Sequence, residues 1–141
     1  MNKLSASLED YIEIIWNLQE QNETVKAIDI SKKLGISRAS VSEALSKLEE
    51  KGYILYEGHK GITITETGIK KAKEITSKHN TLTSFFEKTL GISKEIAENN
   101  ACRVEHVITQ DVFARIEAFQ KFCNEKTDYI DEFKKGYIKN H

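Results

Sequence analysis

Three good metal donors, a thiol, a carboxylate and an imidazole, fall within five residues in "ACRVEH": Cys102, Glu105 and His106. At about 100° per residue, positions i, i+3 and i+4 lie on one side of a helix. The apolar stripe of the same segment is Ala97, Ala101, Val104 and Ile108, and the triple is offset from it. Cys102 is therefore not simply one more core position. A second group lies far upstream, where Asp10 and Glu13 share a face beside the stripe of Leu8, Tyr11, Ile12 and Ile15. His79 stands between Lys78 and Asn80, midway along a long helical segment. Singly, each has an ordinary reading. Asp10 and Glu13 read as a solvated acidic face near a helix N-terminus, where the macrodipole favours them. His79 reads as an exposed or hydrogen-bonded histidine, and Cys102 as a buried, inert thiol. Summed, they supply O, O, N, S, O and N donors, a coordination set suited to a first-row transition metal.

Helical spacing covers most of the chain that would hold these donors. Residues from Ser5 to Gln21 carry Leu8, Tyr11, Ile12, Ile15 and Leu18 at helical intervals. "QNET" breaks the pattern. "VKAIDISKKLGI" predicts a short second helix with Ile28, Ile30 and Leu34 facing inward and Gly35 ending it. "SRASVSEALSKLEEKGY" predicts a third, capped by Ser37, with Val41, Leu45 and Leu48 as its stripe and Gly52 closing it. The period then changes. "YILYEGHKGITIT" holds two β-rich runs around "EGHKG" and reads as a hairpin. A long helix is expected from Thr65 to Gly91, then one capped by Ser93 that carries Cys102, Glu105 and His106. Another, capped by Thr109, carries Phe113, Ile116, Phe119 and Phe122, more apolar surface than a lone subunit could cover, and this free face is expected to form a dimer interface. The tail from Thr127 reads as weakly helical and mobile at its end. The chain has no proline, so its turns must use Gly, Asn, Asp and Ser.

A short helix, a turn containing glycine, a second helix and a hairpin make a winged helix-turn-helix. With Val41, Leu45 and Leu48 turned inward, the third helix presents Ser37, Arg38, Ala39, Ser40, Ser42, Glu43 and Lys47 outward. Serine hydroxyls can bond phosphates or base edges, and an alanine can meet a thymine methyl. Lys26 and Lys60 add positive charge on either side. Acidic neighbours keep the patch only modestly basic, and the whole chain carries a net charge of −1. Such a chain binds DNA through a local surface, with much of the affinity coming from dimer geometry. The blander reading is a three-helix fragment with a serine-rich solvated face.

Length and composition bound the remainder. The 141 residues suit one domain or two small ones, and 39% hydrophobic with 30% charged residues is typical of a soluble globular protein. No stretch has the apolar length of a signal peptide or membrane span, so a cytoplasmic protein is expected. The two cysteines, Cys102 and Cys123, argue against a disulfide framework.

The segments "SASLEDYIEIIW", "ISKKLGISRASVSEALSKLEEKGYILYEGHKGITITETG", "KHNTLTSFFEKTLGI" and "ACRVEHVIT" occur in unbroken order. Over about the first 120 residues they resemble the diphtheria-toxin-repressor family of metal-activated transcriptional repressors. The resemblance is to its short, manganese-transport-regulator branch, which lacks the SH3-like domain of longer members. It implies a mainly α fold: a winged helix-turn-helix DNA-binding domain over residues 1–70, followed by a helical metal-binding and dimerisation domain over 71–141. It also implies ligand roles for Asp10, Glu13, His79, Cys102, Glu105 and His106. Asp10 matches the manganese branch, where the iron branch has methionine. Cys102 matches the iron branch, where the short manganese regulators have glutamate. Thr83 and Glu98 stand where the iron branch has a glutamate and a histidine of a second site. The implied function is that of a homodimeric repressor of metal homeostasis, active with Mn2+ or Fe2+ and binding a palindromic double-stranded operator. Co2+, Ni2+, Zn2+ or Cd2+ would substitute in vitro. No small-molecule substrate, membrane or catalytic role is expected. Two other readings stay open. One is a winged-helix regulator that responds to an organic ligand or to oxidation of Cys102. The other is a metal-dependent hydrolase, for which no "HExxH" or comparable motif is present.

Overall fold

The computed structural model describes residues 4–21 and 24–140. Contacts divide the chain into two compact units, with Thr76 the last residue of the first and Ser77 the first of the second.

In the first unit, α1 (Ala6–Gln21), α2 (Ala27–Leu34) and α3 (Arg38–Glu50) precede an antiparallel hairpin of β1 (Ile54–Tyr56) and β2 (Ile62–Ile64). Helical periodicity dictates the core. Ile12 and Ile15 from α1, Ile30 from α2, and Val41, Leu45 and Leu48 from α3 are buried together with Ile54, Ile62 and Ile64 of the hairpin. Each side chain of this size contributes roughly 1.5–3 kcal/mol on burial. Ile28 and Leu34 are only half-buried, and Ile36 is exposed, so the turn after α2 packs less tightly than its spacing suggests. Gly35 ends α2 at φ 65°, with its N–H on Ser31 O at 2.9 Å; side chains with a Cβ resist that conformation. Of the "QNET" break, Asn22 and Glu23 lie outside the described residues.

The hairpin pairs Ile54 with Ile64, Leu55 with Thr63 and Tyr56 with Ile62, so the isoleucines at one end share the core-facing side. Its tip is a 3-10 turn, Gly58–Lys60. Gly61 closes it at φ 102°, and an added Cβ would stand 2.8 Å from Thr24 Cγ2 and from Val25 O. Side-chain bonds hold the wing to the helices: Ile64 N donates to Gln19 Oε1 at 3.0 Å and Tyr56 N to Glu49 Oε1 at 2.8 Å.

The long helix expected from Thr65 to Gly91 differs in its last turn. Regular α4 spans Glu66–Ser84, and a π-helical turn, Phe85–Thr89, follows it. Such a bulge shifts the side-chain register in place of a further α turn. In the second unit, α5 (Lys94–Val104), α6 (Gln110–Glu125) and α7 (Thr127–Asn140) complete the chain. Ser93 and Thr109 occupy the N-cap positions of α5 and α6 without side-chain capping bonds. The core here is small: Leu82, Ala101 and Phe113 are buried, with Phe86, Val104, Ile108 and Ile116 packed around them. Phe113 and Ile116 thus belong to this core, not to a free apolar face. Phe119 and Phe122 remain exposed. The tail expected to be weakly helical forms α7; His141 lies outside the described residues. Among the described residues no helix is long and apolar enough to cross a membrane.

Candidate metal centre and DNA-contact surface

The second unit assembles four of the expected ligands. His79 projects from α4, and Cys102 from the last turn of α5. Glu105 and His106, expected on the helix, lie just past its end at Val104. Glu105 is its C-cap and keeps helical angles, φ −55° and ψ −31°, with its N–H on Ala101 O at 2.9 Å. The i, i+3, i+4 relation therefore survives the end of the helix.

Glu105 is only 4% exposed. One carboxylate oxygen lies 2.8 Å from His79 Nδ1, and the other 3.4 Å from His106 Nε2. Cys102 Sγ is 3.7 Å from the same His79 nitrogen, on the exposed rim. A carboxylate this deep is costly unless a positive or donating group compensates it. Ligand atoms of His79, Cys102 and Glu105 all lie within 4.8 Å of one another. Donors about 2.0–2.3 Å from a common ion have separations of that size, so the site fits a first-row divalent cation.

The acidic pair lies on α1 in the first unit, Asp10 exposed and Glu13 half-buried. The sequence reading missed Glu9 of the same helix. It is 6% exposed, with Oε1 3.7 Å from Lys71 Nζ. Its i+3 relation to Ile12, on the buried side of α1, was the available signal. At the expected second site, Glu98 is exposed and pairs with Lys94 at 3.9 Å. Thr83 Oγ1 is buried and has no hydrogen-bond partner among the described residues. A buried unsatisfied hydroxyl costs roughly 1–3 kcal/mol. Thr83→Val is therefore expected to raise the thermal midpoint by a few degrees, about 1 kcal/mol, with metal stoichiometry unchanged. Calorimetry with metal analysis checks both; a fall in stoichiometry would make Thr83 a ligand.

The expected DNA-contact residues, Lys26, Ser37, Arg38, Ala39, Ser40, Ser42, Glu43, Lys47 and Lys60, are all exposed on the first unit. Ser37 caps α3: its oxygen accepts from Ser40 N at 3.2 Å, and its hydroxyl donates to Ser40 Oγ at 3.0 Å. Arg38 is the first residue of α3, and the first turn carries no acid. A cation at a helix N-terminus opposes the macrodipole, so this end is left positive for an anion. Lys47 Nζ donates to Glu43 Oε1 at 2.8 Å. That hydrogen bond, then the Lys47 charge, lowers the Glu43 carboxyl below its usual value, and the same contact raises Lys47. A cleft of about 350 Å3 runs between the start of α2, the face of α3 and the wing. Lys26, Arg38 and Ser42 line it together with Tyr56 and His59. Tyr56 was not anticipated, because the strand's inward periodicity masks a residue at its end.

Two family descriptions match the chain: the iron dependent repressor N-terminal DNA binding domain over residues 3–62, and the iron dependent repressor metal binding and dimerisation domain over residues 65–131. An uncharacterised HTH-type transcriptional regulator of Methanocaldococcus jannaschii is 36% identical over 124 residues, covering 87% of this chain and 99% of that protein. The HTH-type transcriptional regulator MntR of Bacillus subtilis is 30% identical over 112 residues, covering 79% of this chain and 78% of that one. A solved manganese-dependent transcriptional repressor in complex with manganese superposes with a TM-score of 0.71 at 28% identity. The match covers 82% of this chain but 53% of that one, so this chain spans about half the length of that repressor. A hypothetical protein from Sulfolobus solfataricus superposes with a TM-score of 0.70 at 25% identity, covering 83% and 89% of the two chains.

Proposed function

The chain belongs to the iron-dependent repressor family, a family of metal-responsive DNA-binding transcriptional regulators rather than enzymes, and from that premise we propose its working cycle. It is a cytoplasmic repressor of metal-homeostasis genes that binds a palindromic operator as a homodimer when it carries Mn2+ or Fe2+.

One observation carries the metal half of this reading: buried Glu105 sits between His79 and His106 with Cys102 at its rim. His79 Nδ1, Cys102 Sγ, the Glu105 carboxylate and His106 are the proposed donors of the second unit. Asp10 and Glu13 on α1 are the proposed donors of the first. A divalent cation supplies the positive charge and directed coordination that a set of carboxylates and a thiolate lacks by itself. With proposed donors on the DNA-reading unit as well, metal loading is proposed to be coupled to operator binding. In a homodimer this favours two α3 helices about one DNA turn apart, roughly 34 Å. A coupling of about 1–3 kcal/mol between metal and operator changes affinity about 5- to 150-fold.

The test is operator selection from random duplexes with MnCl2 or anaerobic Fe2+, followed by chelation. Chelation is expected to release the selected DNA. Equal affinity before and after chelation overturns the proposal.

The DNA half rests on the positive start of α3 and the cleft beside it. Arg38→Ala is expected to weaken operator binding about tenfold and to reduce the salt slope of log K by about one. Titrations at several salt concentrations check this. A loss confined to one base position and independent of salt would assign Arg38 to a base edge instead.

A further inference from the structure

The cleft between the start of α2, the face of α3 and the wing holds more than the contact residues expected from sequence. Lys26 and Arg38 line it as cations and Ser42 as a hydroxyl, and the wing adds Tyr56 and His59. All five side chains can donate a hydrogen bond. Among the described residues no carboxylate lines the cleft, although acids lie close in sequence. Asp29 is turned to the backbone, its Oδ2 accepting from Lys26 N at 2.9 Å. Glu49 is held likewise, its Oε1 accepting from Tyr56 N at 2.8 Å. A cleft of about 350 Å3 with five donors, two of them cations, and no negative charge suits an anion that offers several oxygens.

The walls of the cleft are tied to one another. Ile62 N donates to Val25 O at 2.7 Å, which joins the wing to the residue before Lys26. The bond from Tyr56 N to Glu49 joins the wing to the last turn of α3. Donors placed in advance bind with little ordering cost. The exposed start of α3, Arg38, Ala39 and Ser40, stands beside the cleft. A recognition helix in the major groove has backbone phosphates on either side of it.

We propose that this cleft clasps one backbone phosphate of the operator in each half-site, with Tyr56 and His59 as its contacts from the wing. The proposal rests on the DNA reading above and adds two residues and a division of labour to it. The wing fixes the register of α3 on the duplex, and α3 reads the bases. Phosphate contacts carry no sequence information, so losing those of the wing weakens every duplex alike.

Tyr56→Phe removes one oxygen and keeps the ring that packs against the core. His59→Ala changes an exposed side chain at the tip of the wing. In titrations with MnCl2, each is expected to weaken the selected operator and an unrelated duplex by the same factor, about 5- to 10-fold. Single methylphosphonates placed along the operator then replace one charged phosphate at a time by a neutral group. At one position in each half-site the replacement should cost the wild-type chain about tenfold and the Tyr56→Phe, His59→Ala double variant almost nothing. Variants that bind both duplexes as tightly as the wild type overturn the clasp. So does an equal methylphosphonate cost in the two proteins at every position, or a loss confined to one base pair. A wild-type chain that selects no operator overturns the DNA reading beneath it.

Discussion

Replacing Glu105 with glutamine is expected to leave the protein folded and to remove its metal response. The carboxylate is nearly the least exposed charge in the second unit and touches both imidazoles. Glutamine keeps the shape, and its amide can still bond His79 or His106, but it has no negative charge to hold a cation. Operator affinity with saturating MnCl2 should then fall to the metal-free value, a loss of about 5- to 150-fold. The metal-free affinity itself should not move, because α3 and the wing lie in the other unit. Glu105→Gln also removes a buried charge whose desolvation opposes folding, so the apo protein is expected to be as stable as wild type or more so. Fluorescence anisotropy on a selected operator, with and without metal, alongside thermal melts, separates these effects. Unchanged metal-dependent affinity in the variant would rule Glu105 out as a ligand.

The three helices and the wing were legible because local signals agreed. Ser37 caps α3, Gly35 and Gly52 sit at positive φ, and the period changes from helix to strand at Tyr53. Cys102, Glu105 and His106 were legible because i, i+3 and i+4 fix a common face. His79 was legible as one donor among several, but its distance to Glu105 depends on how α4 packs on α5, which spacing along one helix does not encode. The π-turn at Phe85–Thr89 left no sequence signal, since "FFEKT" contains no residue that demands it. Phe113 and Ile116 were assigned to a free face because their stripe continues into Phe119 and Phe122. The stripe is real, but Leu82 and Ala101 cover only its first half. Glu9 was passed over because a carboxylate within reach of lysine, here Lys71, can lie inside where composition suggests it lies outside.

Cys102→Glu is expected to change which ion the protein answers to. Cys102 is on the exposed rim of the cluster, not packed among apolar side chains, so the longer carboxylate can be accommodated by rotation toward solvent. The thiolate is the one soft donor among the residues proposed to bind metal. Sulfur favours Zn2+, Co2+ and Fe2+ over Mn2+, whereas a carboxylate in its place yields a harder set with no such bias. Losing a mere outer partner of a ligand costs about 10- to 100-fold in metal affinity, so exchanging a direct donor should move the Zn2+-to-Mn2+ affinity ratio by about 100-fold. Competition titrations with a chromophoric chelator read this ratio, and Co2+ provides a second signature. The wild-type complex should show an intense sulfur-to-metal charge-transfer band in the near ultraviolet that the variant lacks. The cobalt band bears on ligation and the ratio on selectivity. If neither differs between the two proteins, Cys102 lies beside the metal site without binding it, and selectivity must then reside in the carboxylates and imidazoles.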